Sequence, residues 1–300
     1  LRVFVTGATG VLGSTAVGAL LASGHEVTAL VRTPEKAEAV KRAGAAPVLA
    51  DLYDVEAMAA AIEGHDAVCN LATAIPVGAA ALRSSAWRAH DRLRTEGAKV
   101  IVTAASAAGA RRLVQESVSF AYADGGEAWI TEASPLCVTR AVEPAAVAET
   151  SAVGFASPSR DAVILRFGNF VGDDPFTRWR LAQARAGRPV GLGDPNGWAH
   201  VVHPTDAGSA VAAALTAPAG IFNVGAEPVR RVDLTRTFAE VAGSSHGRFV
   251  PRWFLRIAGE RLEPLARSQR VSSDALHQAT GWKPRYDVFD ASWLPTGAVQ

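Results

Sequence analysis

Two groups of residues in this 300-residue chain have types and spacings that could do chemistry. The first is Gly7, Gly10 and Gly13, set in the run Val3-Phe4-Val5-Thr6-Gly7-Ala8-Thr9-Gly10-Val11-Leu12-Gly13. An apolar segment entering such a turn predicts a strand followed by a helix, with a dinucleotide at the junction. Gly7 lets the chain turn sharply, Gly10 leaves room for a pyrophosphate, and Gly13 lets the helix approach the sheet. Free N–H groups around Thr9, Gly10, Val11 and Leu12, where the helix starts, then face the anion. The second group is the hydroxyls of Ser117, Ser119 and Tyr122, in Gln115-Glu116-Ser117-Val118-Ser119-Phe120-Ala121-Tyr122-Ala123-Asp124. A hydroxyl in such a segment can donate a hydrogen bond to the alkoxide that forms when a carbonyl receives a hydride.

The elements that must position these groups alternate regularly. Helix is expected over 11–22, strand over 26–31, helix after Pro34 and strand over 46–50. With the opening strand this is βαβαβ, the mononucleotide-binding half of a doubly wound parallel sheet. Further strands are expected over 66–71, 111–115 and 161–166, with a long helix over 83–108 and a shorter one over 145–155 behind Pro144. Beyond Phe170 glycine, proline and tryptophan become frequent, as in Gly191-Leu192-Gly193-Asp194-Pro195-Asn196-Gly197-Trp198. Residues 1–170 thus read as a dinucleotide-binding domain, and 171–300 as a smaller substrate lobe over the carboxyl ends of the strands.

Cofactor choice is legible in one offset. Arg32 follows the second strand about 20 residues past the glycines, where a carboxylate would hold a ribose 2′-hydroxyl. An arginine there suits a 2′-phosphate, so NADP is expected over NAD. Asp51 and Leu52 end the third strand, placed to frame the adenine edge. Leu71, Ala72 and Thr73 end the fourth, over the pyrophosphate.

Composition limits the rest. The chain is 49% hydrophobic and 20% charged, with a net charge of +1, which suits one soluble enzyme-sized unit and not a nucleic-acid binder. No run approaches the roughly 18 apolar residues of a membrane span, and no leader pattern opens the chain. Cys69 and Cys137 form neither a ligand cluster nor an evident disulfide framework, so a reducing cytoplasm is the expected location and no metal is expected. A nucleophile elbow, paired catalytic carboxylates and zinc-ligand spacings are absent, which removes hydrolase readings.

Across nearly its whole length the chain resembles an extended short-chain dehydrogenase/reductase of the NAD-dependent epimerase/dehydratase type. The resemblance rests on Gly7, Gly10 and Gly13, Asp51-Leu52, Leu71-Ala72-Thr73 and Arg166-Phe167-Gly168-Asn169-Phe170-Val171-Gly172. It extends through His200-Val201-Val202-His203-Pro204-Thr205-Asp206-Ala207, Phe222-Asn223-Val224-Gly225 and Gly281-Trp282-Lys283-Pro284. It implies that Phe167 and Asn169 also lie at the cofactor. The family's chemistry rests on a Tyr-x-x-x-Lys helix with a nearby serine or threonine, and this chain lacks that pair. Its three tyrosines, Tyr53, Tyr122 and Tyr286, are followed four residues on by Ala57, Gly126 and Asp290. If Glu149 is the family's helix glutamate, the pair falls on Ala141 and Ala145, and the serine falls on Val118, between Ser117 and Ser119. Arg94 stands where many members carry an asparagine. Without a lysine, Tyr122 is expected to keep a pKa of about 10.

These features imply an NADPH-dependent ketoreductase acting on a small-molecule ketone. The chain is similar to actinobacterial ketoreductases of aromatic, angucyclinone-type polyketides, whose neighbouring phenol could supply the proton. A nucleotide-sugar epimerase or dehydratase is the related alternative, disfavoured by the missing base. A non-catalytic NADP-binding redox sensor is the other. Arg178 and Arg180, flanking Trp179, are candidate clamps for an acidic substrate or a charged helix face. Monomer and homodimer are both compatible with the sequence.

Overall fold

The structure is a computed structural model that describes residues 1–251, 253 and 262–295. Its centre is a seven-stranded parallel sheet. The chain lays down β1 (Arg2–Thr6), β2 (Glu26–Val31), β3 (Ala46–Leu49), β4 (Ala67–Asn70), β5 (Arg112–Val118) and β6 (Asp161–Phe167). Short strands follow: β7 (Asn169–Phe170), β8 (Trp198–Ala199), β9 (Val201–Val202), β10 (Gly220–Val224) and β11 (Val229–Arg230). Across the large sheet the order is β10-β6-β5-β4-β1-β2-β3, so the strand order reverses between β1 and β4. At that switch point Phe4 pairs with Thr28 on one side and Val68 on the other. Ligands of such sheets bind beyond the carboxyl ends of the strands, at this crevice.

Helices cover both faces because the strands are apolar on both. On one face lie α1 (Val11–Ala22) and α8 (Pro204–Ala213), packed with Val3, Val5, Val114 and Leu165. On the other lie α3 (Val55–Ile62), α5 (Ala98–Ala107) and α6 (Glu143–Val153), burying Phe4, Met58, Ile101 and Ile164. Local signals set the helix starts. Thr33 caps α2 (Pro34–Arg42), and Asp54 caps α3 by accepting the Ala57 N–H at 3.0 Å.

Chain from beyond residue 170 returns to this framework, since β10 extends the sheet beside β6 and α8 packs on α1. The remainder builds a separate core around α7 (Pro175–Arg185) and α9 (Arg231–Val241), with Leu181, Val190, Leu234, Phe238 and Trp293 inside.

Two elements differ from expectation. The helix expected over 83–108 begins as 3₁₀ turns, then runs as α4 (Arg88–Arg92), a π turn (Leu93–Gly97) and α5. The wider turn brings Arg94 to a partner on β5, and Gly97 sits so close to Leu52 that a Cβ would lie 2.8 Å from its Cδ2. Strand β5 continues to Val118, past the expected end at Gln115, because β6 pairs with it as far as Val118 opposite Phe167.

Candidate active site

The turn after β1 has the shape its glycines imply. Gly7 adopts φ +70°, and a Cβ there would lie 2.6 Å from the Leu71 carbonyl oxygen. At Gly13 a Cβ would lie 2.1 Å from the Gly7 oxygen, which fixes how closely α1 approaches the strand. Gly10 is different: a Cβ would meet only the Gly7 oxygen, at 3.3 Å, and the residue is exposed. No side chain caps α1, so its first N–H groups remain open for an anion. These features fit a dinucleotide pyrophosphate.

Around this cradle stand the other expected contacts. Thr9 and Thr73 are exposed, and Ala72, next to Thr73 in sequence, is half-buried. Leu12 and Leu71 are core residues, so they can offer only backbone. At the adenine end, exposed Asp51 holds the Tyr53 N–H at 3.0 Å, and the Arg92 guanidinium lies 3.7 Å from the centre of the Tyr53 ring. Arg32 is exposed and electrostatically close to the same tyrosine. Asn169 is half-buried in β7, just past the end of β6, whereas the Phe167 side chain is 1% exposed and packs near Phe170. Phe167 therefore has no side chain to give a cofactor.

The three expected hydroxyls are all committed inward. Ser117 Oγ donates to Glu149 at 2.5 Å. Glu149 also takes two N–H groups of Arg166, at 2.8 and 2.6 Å. Arg166 donates a further N–H to the Tyr122 hydroxyl at 2.9 Å, and that hydroxyl donates to Asn223 at 2.8 Å. Tyr122 has no exposed surface. Its pKa does not stay at the ordinary value: burial raises it, against the opposing pull of Arg166. The expected oxyanion donor is thus a structural tyrosine in this conformation. Nearby, buried Arg94 pairs with buried Glu116, whose carboxyl is pushed up by burial against the pull of Arg94.

Ser119 faces His200, with Oγ and Nδ1 2.9 Å apart. His200 is fully buried, its Nε2 has no partner among the described residues, and a Cβ on Gly225 would lie 2.0 Å from that nitrogen. Burial lowers its pKa to about 3, so the ring is neutral and supplies no proton. The unfolded chain binds that proton near pH 6.5, the folded one only near pH 3. This contribution to stability is whole above pH 6.5 and drains away as pH falls toward 3. Unfolding free energies from urea titrations between pH 7 and 4 are expected to fall more steeply in the native protein than in His200→Gln, by up to about 1.4 kcal/mol per pH unit. Parallel curves would remove this account.

Where the resemblance places serine and lysine, the structure has Val118 and Ala145, 6% and 2% exposed, in one apolar cluster with Ala121 and Val142. Ala141 is half-buried beside them in sequence. Among the described residues there is no His, Cys, Asp or Glu group able to hold a metal.

The model of a family described as NAD(P)H-binding matches residues 7–190. The chain belongs to that family. Over 95% of its length it is 33% identical to a 3-diazoavenalumate denitrifying reductase from a Streptomyces species, covering 97% of that protein. A quinoline-oxide ketoreductase from Stigmatella aurantiaca is 36% identical, over 42% of this chain and 36% of its own. In fold the chain is similar to a Stenotrophomonas UDP-glucose 4-epimerase with bound NAD (TM-score 0.76, 23% identity, 97% of this chain and 96% of that one). A dTDP-glucose 4,6-dehydratase from Streptomyces venezuelae gives 0.77 at 20% identity, over 98% and 95%. This member of an NAD(P)H-binding family thus has the fold of an epimerase and a dehydratase, and the two relatives named are a reductase and a ketoreductase.

Sequence reasoning missed the partners of these side chains. Glu149 is visible as a helix carboxylate, but nothing local marks Arg166 as its partner or Asn223 as that of Tyr122. Among the described residues, no helix is long and apolar enough to cross a membrane.

Proposed function

We propose that this reductase uses NADPH to reduce the ketone of a small aromatic secondary metabolite, and that the proton completing the reduction comes from the substrate. One observation carries the reading. Where the resemblance puts the serine, tyrosine and lysine, the chain has Val118, Ala141 and Ala145, none of which carries a side-chain acid, while Ser117, Ser119 and Tyr122 each hold a buried partner. When bound, a reduced nicotinamide supplies the hydride. The chain's own part is to hold the pyrophosphate at Gly10 and the start of α1, to set the 2′-phosphate beside Arg32, and to keep water from the β5 tip. A phenol next to the ketone can then pass its proton to the new alkoxide.

Steady-state NADPH oxidation across hydroxylated and O-methylated forms of one quinone tests this. The hydroxylated form is expected to turn over at least about a hundredfold faster, the low end of what a positioned acid contributes. Equal rates would sink the proposal.

The diazo substrate named for the Streptomyces relative favours a second reading of the same site. Hydride transfer to an aryl diazonium balances as Ar–N₂⁺ plus H⁻ giving Ar–H plus N₂, again with no proton from the protein. Nitrogen release from an aryl diazonium, with no turnover of any ketone, would select this reading.

A further inference from the structure

We propose that Arg180 and Arg231 form a subsite for a carboxylate carried by the substrate, between α7 and α9. Arg231 opens α9 and is 7% exposed. Two of its N–H groups go to the carbonyls of Leu192, at 3.1 Å, and Arg267, while its buried Nε has no partner among the described residues. Arg180, on α7, makes one hydrogen bond among the described residues, to the Val190 carbonyl at 3.2 Å, and lies 4.1 Å from the centre of the Phe238 ring. Neither is paired with a carboxylate within ion-pair distance among the described residues.

The acids nearest to them are occupied elsewhere. Asp174 accepts the N–H groups of Phe176 and Thr177 and the Thr177 hydroxyl, which starts α7. Asp124 accepts from Gly126 and Ser268, and Asp194 from Asn196. Arg178, the neighbouring candidate, is already paired on the surface with Asp173 at 2.6 Å. Buried Arg231 and half-buried Arg180, which feels the Arg231 charge, thus have no carboxylate at ion-pair distance among the described residues, and burial lowers both pKa values to about 10 against the weaker pull of Asp174 on Arg180 and of Asp124 and Asp194 on Arg231. Leaving cations desolvated and unpaired is costly, and an anion between them removes that cost. The planar forks of two guanidiniums suit a carboxylate.

The pair is tied to the reacting end of the cleft. Arg267, whose carbonyl takes an Arg231 N–H, donates to the carbonyls of Phe120 and Tyr122 at 3.3 and 3.0 Å, just past the end of β5. This inference deepens the reductase reading and rests on it, but its test needs no turnover.

Calorimetry on the full chain with NADP present would compare benzoate, its uncharged isostere benzamide and inorganic phosphate. Benzoate is expected to bind at least about tenfold tighter than benzamide, and Arg180→Met or Arg231→Met to lose that preference by about tenfold or more each. The conservative R180K and R231K should recover part of it. Unchanged NADP affinity in the variants separates loss of the subsite from loss of the fold or of the cofactor site. Equal affinity for benzoate and benzamide, retention of benzoate binding by both Met variants, or binding of phosphate alone would each overturn the assignment.

Discussion

An alanine at Gly13 is expected to abolish dinucleotide binding and to destabilise the fold together, whereas an alanine at Gly10 should abolish binding alone. The added methyl at Gly13 would sit 2.1 Å from the Gly7 oxygen and 2.7 Å from the Ala8 Cα, both backbone atoms that cannot rotate away. Either α1 lifts off β1 or the turn opens, at a cost of about 3 kcal/mol or more. At Gly10 the only neighbour is the Gly7 oxygen at 3.3 Å, so the protein accommodates the methyl with little strain. The methyl then occupies the space a pyrophosphate needs. Thermal melts and NADP calorimetry on both variants check this. Gly10→Ala binding with the native affinity would place the phosphates elsewhere.

Breaking the buried ion pair of Arg166 and Glu149 should have the second large effect. Arg166→Met leaves the Glu149 carboxylate, 8% exposed, with only the Ser117 hydroxyl, and leaves the Tyr122 hydroxyl without its donor. Removing one partner of such a pair costs about 3–5 kcal/mol, because the remaining charge is desolvated and unpaired. The double variant R166M/E149L should recover most of the loss, since no charge is left behind. Urea denaturation measures both. A loss below about 1 kcal/mol in the single variant would show that the network is not an energetic unit.

Legibility in the sequence followed the range of the interactions. Helix α1 and strand β2 begin and end where the pattern of apolar residues and punctuating glycines puts them, because those signals act within one turn or one pleat. The ends of β5 and the π turn were not legible. The first depends on pairing with β6, a partner about fifty residues away, and the second on Arg94 reaching Glu116. The reach of 171–300 back into the large sheet was likewise invisible, since β10 reads locally as any short apolar strand.

By itself the sequence determined that a dinucleotide cradle follows β1 and that no Tyr-x-x-x-Lys pair exists, because both are matters of residue type at fixed spacing. Only the tertiary structure decided that Ser117, Ser119 and Tyr122 turn inward to Glu149, His200, Arg166 and Asn223. A hydroxyl's availability depends on what stands within hydrogen-bonding distance and on whether water reaches it. Both are set by strands and helices that meet only when the sheet is assembled.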